Sequence, residues 1–518
     1  MDRAGKNDHN TPPRLCAPRR AIPLQPKVLI ANRGEIACRV IRACRELGYA
    51  CVAVYSDADA LSRHVWLADE AVRLGPPPSA ESYLRGDLVL AAAVRTGATL
   101  IHPGYGFLSE NYEFREQCAA AGITFVGPQA YAMRQMGTKT LARQAMHAAG
   151  VPVVPGSLLP LEDGEQAAKL AEEIGYPVML KAAAGGGGKG IRLIAGPADM
   201  PGAFAAVQRE ALAYFKDGTI YLEKAIVRPR HVEIQVMADR HGQAVHLFER
   251  ECSVQRRNQK IIEESPATHL SAATRAKMGA VAVQAARAVQ YEGAGTIEFL
   301  VDPEQNFYFM EMNTRLQVEH PVTELVTGTD LVVAQLLVAQ GEPLPWTQAD
   351  LDQRGHAIEC RVYAEDPANG FAPSPGPLLV YRPPTGPGLR LDDGFCEGDV
   401  IPRYYDSMIA KLSAWAPTRA HAIERMIAAL RQFEIGGISN NIEHLIQVLQ
   451  SDSFRSGPYD TGIVQTLPPL AAEPPDDDAF AVLAAVTVAR RQSSRRLNVS
   501  QSESAWAQAA RIDVLRSV

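Results

Sequence analysis

The 518-residue chain lacks the marks of several function classes. Its eight cysteines (Cys16, Cys38, Cys44, Cys51, Cys118, Cys252, Cys360 and Cys396) are scattered, with no CxxC pair and no histidine at zinc spacing. That pattern excludes a zinc finger and a disulfide framework and fits a reducing, cytoplasmic setting. No apolar run reaches the roughly 18 residues of a membrane span, so no membrane partner is expected. There is no excess of basic residues. The formal net charge is −6 and no basic run is interleaved with aromatics, which argues against a nucleic-acid partner and requires any anionic ligand to be held by local cations. Internal repeats are missing too. Residues 1–26 carry Arg14, Arg19 and Arg20 beside Asp2 and Asp8 without an apolar core, so a flexible arm is expected there rather than a targeting peptide. What remains is ordinary for a soluble enzyme: 47% hydrophobic and 21% charged residues, and a length that suits about two to four domains.

The densest chemistry lies at 297–324, IEFLVDPEQNFYFMEMNTRLQVEHPVTE. Two runs rich in β-branched and aromatic residues, 297–302 and 307–312, flank the turn-forming 303–306 and predict a β-hairpin. Beyond it Glu311, Asn313, Arg315, Gln317 and Glu319 alternate with Met312, Thr314, Leu316 and Val318. An extended chain of period two aims the polar five at one side, and Glu298 can face the same way. Two carboxylates and an amide oxygen suit a hard cation such as Mg²⁺, or Mn²⁺ in its place, which keeps waters and substrate phosphates as further ligands. Arg315 adds a planar fork for an oxyanion and Glu319 a proton acceptor. A strand with one solvated face is the plainer alternative, but Lys and Ser, common on such faces, are missing from 311–319.

Along the chain, 27–31, 35–47 and 51–55 read as strand, helix and strand, a βαβ unit that implies a parallel sheet. Its first turn, Asn32-Arg33-Gly34-Glu35, has no GxGxxG, so the unit reads as scaffold. A helix at 88–95 and a strand at 99–102 lead into PGYGFLSEN (103–111), which is either a loop facing a ligand crevice or a turn with core aromatics. The helix 138–149 carries Lys139 in its first turn. The strand 177–182 carries Lys181 at its end and runs into AAGGGGKG (183–190). Residues 191–194 are β-like and Lys189 is followed by Gly190, so both a Rossmann turn and a Walker A loop fail. A flap whose N–H groups close over phosphates remains, beside a plain glycine hairpin. A strand at 220–226 ends near Glu223 and Lys224, where its backbone would meet an adenine. His231, Glu233 and Gln235 share a face. Arg256, Arg257 and Lys260 crowd within five residues, as an anion pocket or a solvated patch. The strand 357–363 puts Glu359 and Arg361 on one face.

These motifs resemble biotin carboxylase, the ATP-grasp component of biotin-dependent acyl-CoA carboxylases. The resemblance runs from about 27 to 462 and rests on ANRGEIA (31–37), HPGYGFLSEN (102–111), KAAAGGGGKG (181–190), RHVEIQV (230–236), QRRNQK (255–260) and EMNTRLQVEHPVTE (311–324). It implies an α/β fold with an N-terminal Rossmann-like parallel-sheet domain (27–137), an ATP-grasp domain with a Gly-rich lid (138–346), a C-terminal α+β domain (347–465) and a tail (466–518) as a possible partner-docking extension. It implies that Lys139, Lys181, Gly187, Gly188, Glu223, Lys224, Ala225, Ile226, His231, Gln255 and Asn258 face ATP, and that Glu298, Glu311 and Asn313 hold the metal. Lys260, Arg315 and the Val318 N–H, with Gln317 alongside, would take bicarbonate, Glu319 would be its base, Arg361 would stabilise the ureido oxygen of biotin, and Tyr105 would lie against the biotin ring. Asn258 stands where many members have His, Ala184 where a further Gly is common, and Ile191 where Met is usual. No Met-Lys-Met biotinylation site occurs, so the implied partners are a biotinyl carrier protein or domain and a carboxyltransferase subunit, with the chain a homodimer or part of a larger assembly. Another ATP-grasp carboxylate–amine ligase and a catalytically silent scaffold are the alternatives.

Overall fold

A computed structural model describes residues 26–183 and 190–470, and those up to Leu467 form one compact unit. The expected arm, the glycine run with Gly187 and Gly188, and all but the first residues of the tail lie outside the described residues.

The KVLI run forms the strand Lys27–Ile30 at the centre of a five-stranded sheet, between Ala50–Ser56 and Leu100–His102, with Glu70–Gly75 and Thr124–Phe125 at the edges, all parallel. Continuous apolar strands of this kind need cover on both faces. The helix Gly34–Glu46 gives it on one side through Ile36, Val40 and Cys44. Its N-terminal turn also secures the loop at 103–111: Asn32 Nδ2 donates to the carbonyls of Pro103 and Tyr105, each at 2.7 Å. Gly104 sits between them at φ +62°, where a Cβ would lie 2.8 Å from that amide nitrogen. ANRGEIA and HPGYGFLSEN are therefore one construction.

An eight-stranded antiparallel sheet follows, in the order Phe307–Asn313, Gly293–Val301, Arg230–Ala238, Ala244–Arg256, Gln259–Ser265, His356–Tyr363, Met408–Ala416 and Leu389–Asp393. The helix Ala272–Ala288 packs Met278, Ala282 and Ala285 against Val232, Ile234, Val236, Ile297 and Phe299. Alternation then turns His231, Glu233 and Gln235 to the opposite face. The sheet runs without a break past residue 346, because Gln259–Ser265 pairs directly with His356–Tyr363. Strands of the expected C-terminal domain thus bring Arg361 alongside the central ones, and the helix Arg419–Gln432 covers their far side.

A three-stranded sheet, Ile191–Ile194, Val178–Ala182 and Ile220–Lys224, packs on the helices Gly164–Ile174 and Met200–Phe215. Lys181 pairs with Ile191 across it, so the strands flanking the glycine run are antiparallel neighbours. Among the described residues no single helix is long and apolar enough to cross a membrane.

Candidate active site

The hairpin register fixes the first part of the site. Glu298 lies opposite Glu311 on one neighbouring strand and opposite Glu233 on the other, and Thr296 lies opposite Asn313. Directly opposed side chains on a shared face are within interaction distance. Burial raises the pKa of Glu311, and the charge of Glu298 raises it further. The two carboxylates forced together offer oxygen donors that a hard dication would relieve; Asn313 turns Nδ2 to Glu298 Oε1 (2.8 Å) and Oδ1 to Arg315 (2.8 Å), so its amide joins them as an oxygen donor by turning over and releasing Arg315. The residues present therefore fit Mg²⁺ or Mn²⁺.

Lys260 crosses this face and gives each of its three ammonium protons a carboxylate: Glu233 at 2.6 Å, Glu319 at 2.7 Å and Glu298 at 3.0 Å. Glu319 uses its second oxygen for Arg361 Nη2 at 3.0 Å, while Arg361 Nε donates to Glu263 at 2.6 Å. Burial alone would raise the Glu319 pKa, but Lys260, Arg361 and Arg250 outweigh it and hold the carboxyl well below the usual range. The clamp keeps Glu319 ionised.

Beneath these groups lies Arg250, fully buried. Its guanidinium donates to Glu233 Oε1, Gln235 Oε1, Thr323 Oγ1, Thr296 Oγ1 and Gln317 Oε1, which matches the fork's five N–H groups. Removing one partner of such a network strands the rest, so Arg250→Met is expected to lower unfolding free energy by about 3–5 kcal/mol in urea denaturation. A loss below about 1 kcal/mol would mean that the network contributes little beyond packing.

At the three-stranded sheet, Lys181 and Arg143 both engage Glu223. Lys139 opens the helix Lys139–Ala148, and its charge acts on both Glu223 and Glu311. Gln255 Nε2 donates to His231 Nδ1 at 2.8 Å, and His231 Nε2 stands 2.9 Å from Glu298 Oε2.

Family models match three consecutive segments: "Biotin carboxylase, N-terminal domain" at 25–133, "Carbamoyl-phosphate synthase L chain, ATP binding domain" at 138–347 and "Biotin carboxylase C-terminal domain" at 359–466. A biotin carboxylase from Halalkalibacterium halodurans is 53% identical over 438 residues, covering 85% of this chain and 97% of that one. The chain belongs to the biotin carboxylase family. The propionyl-CoA carboxylase alpha chain of Ruegeria pomeroyi is 49% identical and covers 92% of this chain, which spans 73% of its length. Among solved structures, the biotin carboxylase domain dimer of Hydrogenobacter thermophilus 2-oxoglutarate carboxylase, with MgADP, ADP and bicarbonate, is 47% identical with a TM-score of 0.80, over 85% of this chain and 97% of that one.

Within this biotin carboxylase fold, most of the residues singled out from sequence converge, with some corrections. The strand bearing the alternating polar residues ends at Asn313 instead of running to 319, and 314–319 form an irregular segment leading into the helix His320–Thr327. Pro321, in the first turn of that helix, suits a helix start and lacks a ladder donor. Gln317 commits its amide to Arg250 and to Glu298 (2.7 Å), so it holds the site from below. Arg315 is turned to Glu110 at 3.0 Å and to Asn313 Oδ1 at 2.8 Å, and the cations touching Glu319 are Lys260 and Arg361 instead.

Of the three crowded cations only Lys260 enters the acidic centre. Arg256 pairs with Glu365 and stacks 4.2 Å over Phe371, and Arg257 is exposed. Arg257 and Asn258 form the hairpin tip at φ +51° and +67°, with Asn258 exposed and outside the network. Asn tolerates this left-handed backbone better than most residues. The strand expected over 220–226 stops at Lys224. The N–H groups of Lys224 and Ala225 are taken by Pro155 O (2.7 Å) and Pro177 O (3.0 Å), and Lys224 Nζ by the carbonyls of Gly175 and Tyr176. The backbone donors of Lys224 and Ala225 are therefore already committed within the fold. Tyr105 is half-buried, with its hydroxyl on Glu35.

Sequence reasoning assigned no role to Glu35, Glu110, Arg250, Glu263 or Lys411. Glu35 and Glu110 carried a signal, since they lie inside ANRGEIA and HPGYGFLSEN.

Proposed function

We propose that this chain carboxylates biotin borne on a carrier protein or domain, using ATP and bicarbonate by way of carboxyphosphate, as the first half-reaction of an acyl-CoA carboxylase. The observation that carries the reading is Lys260 joining Glu319 to Glu298: a buried base and an oxygen-rich metal set share one ammonium. Bicarbonate is a poor electrophile and the ureido nitrogen a poor nucleophile, so both need activation. Mg²⁺ or Mn²⁺ held by Glu298, Glu311 and Asn313 would supply charge neutralisation on the triphosphate.

The chain's own groups do the rest. Lys139, Lys181 and His231 hold phosphate oxygens. Lys260 and Arg315 fix bicarbonate, and Glu319 takes its proton. An anion drawn to Lys260 competes with Glu319 for the ammonium, which weakens the hold on that carboxylate and strengthens it as a base when substrate is in place. Arg361, in a buried setting where charge is felt strongly, holds the ureido oxygen negative, and Tyr105 orients the ring.

Kinship with a propionyl-CoA carboxylase alpha chain supports a carboxyltransferase and a carrier as partners, and the dimeric H. thermophilus domain supports a homodimer. A cytoplasmic setting accords with the seven free, mostly buried cysteines among the described residues.

The test is ADP release with bicarbonate and free biotin varied independently. Bicarbonate-dependent release stimulated by biotin is expected. A release indifferent to biotin would point to another ATP-grasp ligase, and no release at all to a scaffold.

A further inference from the structure

We propose that Lys411 is a positioning residue that holds the turn bearing Glu319. Lys411 lies on the strand Met408–Ala416, directly opposite Arg361 on one neighbouring strand and Asp392 on the other. Its side chain is fully buried. Nζ donates to the Val318 carbonyl at 2.6 Å and stands 3.2 Å from Glu35 Oε1. Glu35 comes from the first turn of the helix Gly34–Glu46 and also accepts the Tyr105 hydroxyl. One ammonium therefore ties the segment next to the base to the helix Gly34–Glu46 and, through Glu35, to Tyr105.

Burying an ammonium is costly unless charge and hydrogen bonds compensate. Here Asp392, held below the usual carboxylate range with Lys411 among the causes, supplies the opposite charge and Glu35 lies 3.2 Å away, whereas burial pushes the Glu359 carboxyl up to about 8 and leaves it mostly neutral. Yet its shortest contact is a neutral carbonyl. The reason lies in what surrounds that carbonyl. Residues 314–319 belong to no helix or strand. Glu319 itself is held by Lys260 and Arg361, and both exchange partners when substrates bind under the proposed function, on which this inference rests. The Lys411 contact on Val318, the residue next to the base, is a hold that no substrate competes for, as the Arg250 contact is at Gln317. It keeps the Glu319 carboxylate aimed while its own cations let go, and a misplacement of about 1 Å at this stage costs roughly 10²-fold in rate.

The full-length chain and its Lys411→Met, Lys411→Arg and Glu35→Gln variants test this by bicarbonate-dependent ATP cleavage. Active sites are counted by nucleotide-binding stoichiometry. For Lys411→Met, kcat/KM for bicarbonate per active site is expected to fall about 10²-fold, with KM for ATP moving less than about twofold. The acid limb of the bicarbonate pH profile should also move, because Glu319 sits differently against Lys260 and Arg361. Lys411→Arg, which keeps a donor, should recover about tenfold of the loss. A loss that matches the missing fraction of folded sites, with per-site constants and pH profile unchanged, overturns the proposal. If Lys411→Met does not fold, Glu35→Gln decides: it keeps the lysine but frees it to leave Val318, so a fall of about tenfold in the same constant is expected and an unchanged constant overturns the proposal. Failure of the wild-type chain to cleave ATP with bicarbonate would instead sink the functional reading.

Discussion

Replacing Lys260 by methionine is expected to lower bicarbonate-dependent ATP cleavage by about three decades and to cost about 3–5 kcal/mol of unfolding free energy at neutral pH. The two losses share one cause. Lys260 is the common partner of Glu233, Glu298 and Glu319, and methionine fills its volume without its charge. Burial raises the pKa of Glu298 and Glu319, and Lys260 is the largest influence drawing each back down. A depressed folded-state pKa contributes stability above the unfolded value, which fades as pH falls through the folded one. In the variant these folded pKa values rise. The deficit against wild type is then largest where the carboxylates must be charged and narrows as pH falls through the variant's raised folded values toward the depressed ones that Lys260 maintains in wild type. Urea unfolding at pH 7.5 and at pH 4.5 reads this out. A deficit of equal size at both values would assign the loss to packing and leave the electrostatic account without support.

The parts of this fold that were legible in the sequence are those with a local period. The Lys27–Ile30 strand and Gly34–Glu46 helix follow from apolar spacing, and the hairpin of Gly293–Val301 with Phe307–Asn313 follows from its turn residues. That hairpin sets Glu298 against Glu311, so the acidic pair could be foreseen from alternation alone. Period two fails at Thr314, and what organises 314–319 is long-range: Glu110 on Arg315, Arg250 on Gln317 and Lys411 on Val318. These partners are remote in sequence, and a single charged residue among apolar neighbours looks like any half-exposed strand position. Lys411, in MIAKLSAWA, is such a case. Arg256 and Arg257 show the converse error, since crowding in sequence does not mean convergence when alternation and a hairpin tip send neighbours in different directions. The continuity of the eight-stranded sheet was likewise hidden, because the pairing of Glu263 with Glu359 spans nearly a hundred residues and leaves no mark on either strand.

Substituting alanine for Arg361 is expected to separate the two halves of the proposed chemistry. Biotin carboxylation should fall by about two decades more than bicarbonate-dependent ATP cleavage, the size expected for a lost oxyanion donor. Arg361 touches Glu263 and Glu319 and no member of the metal set. Its removal therefore leaves Glu298, Glu311, Asn313 and the Lys260 contacts in place. Glu263 is raised by burial and partly restrained by Arg361, so in the variant it takes up a proton instead of standing as a bare buried charge, and the fold survives. Glu319 keeps Lys260 and Arg250 but loses one of the cations that depress its pKa. The acid limb of bicarbonate-dependent ATP cleavage should accordingly shift to higher pH while its plateau is nearly retained. Arg361→Lys is expected to restore the position of that limb through its charge, but little of the carboxylation, because a point charge cannot reproduce a planar fork shared between a carboxylate and the ureido oxygen. Equal loss of both activities in the alanine variant would refute the division of labour between Arg361 and Glu319, and full rescue by lysine would show that charge rather than the fork is what biotin requires.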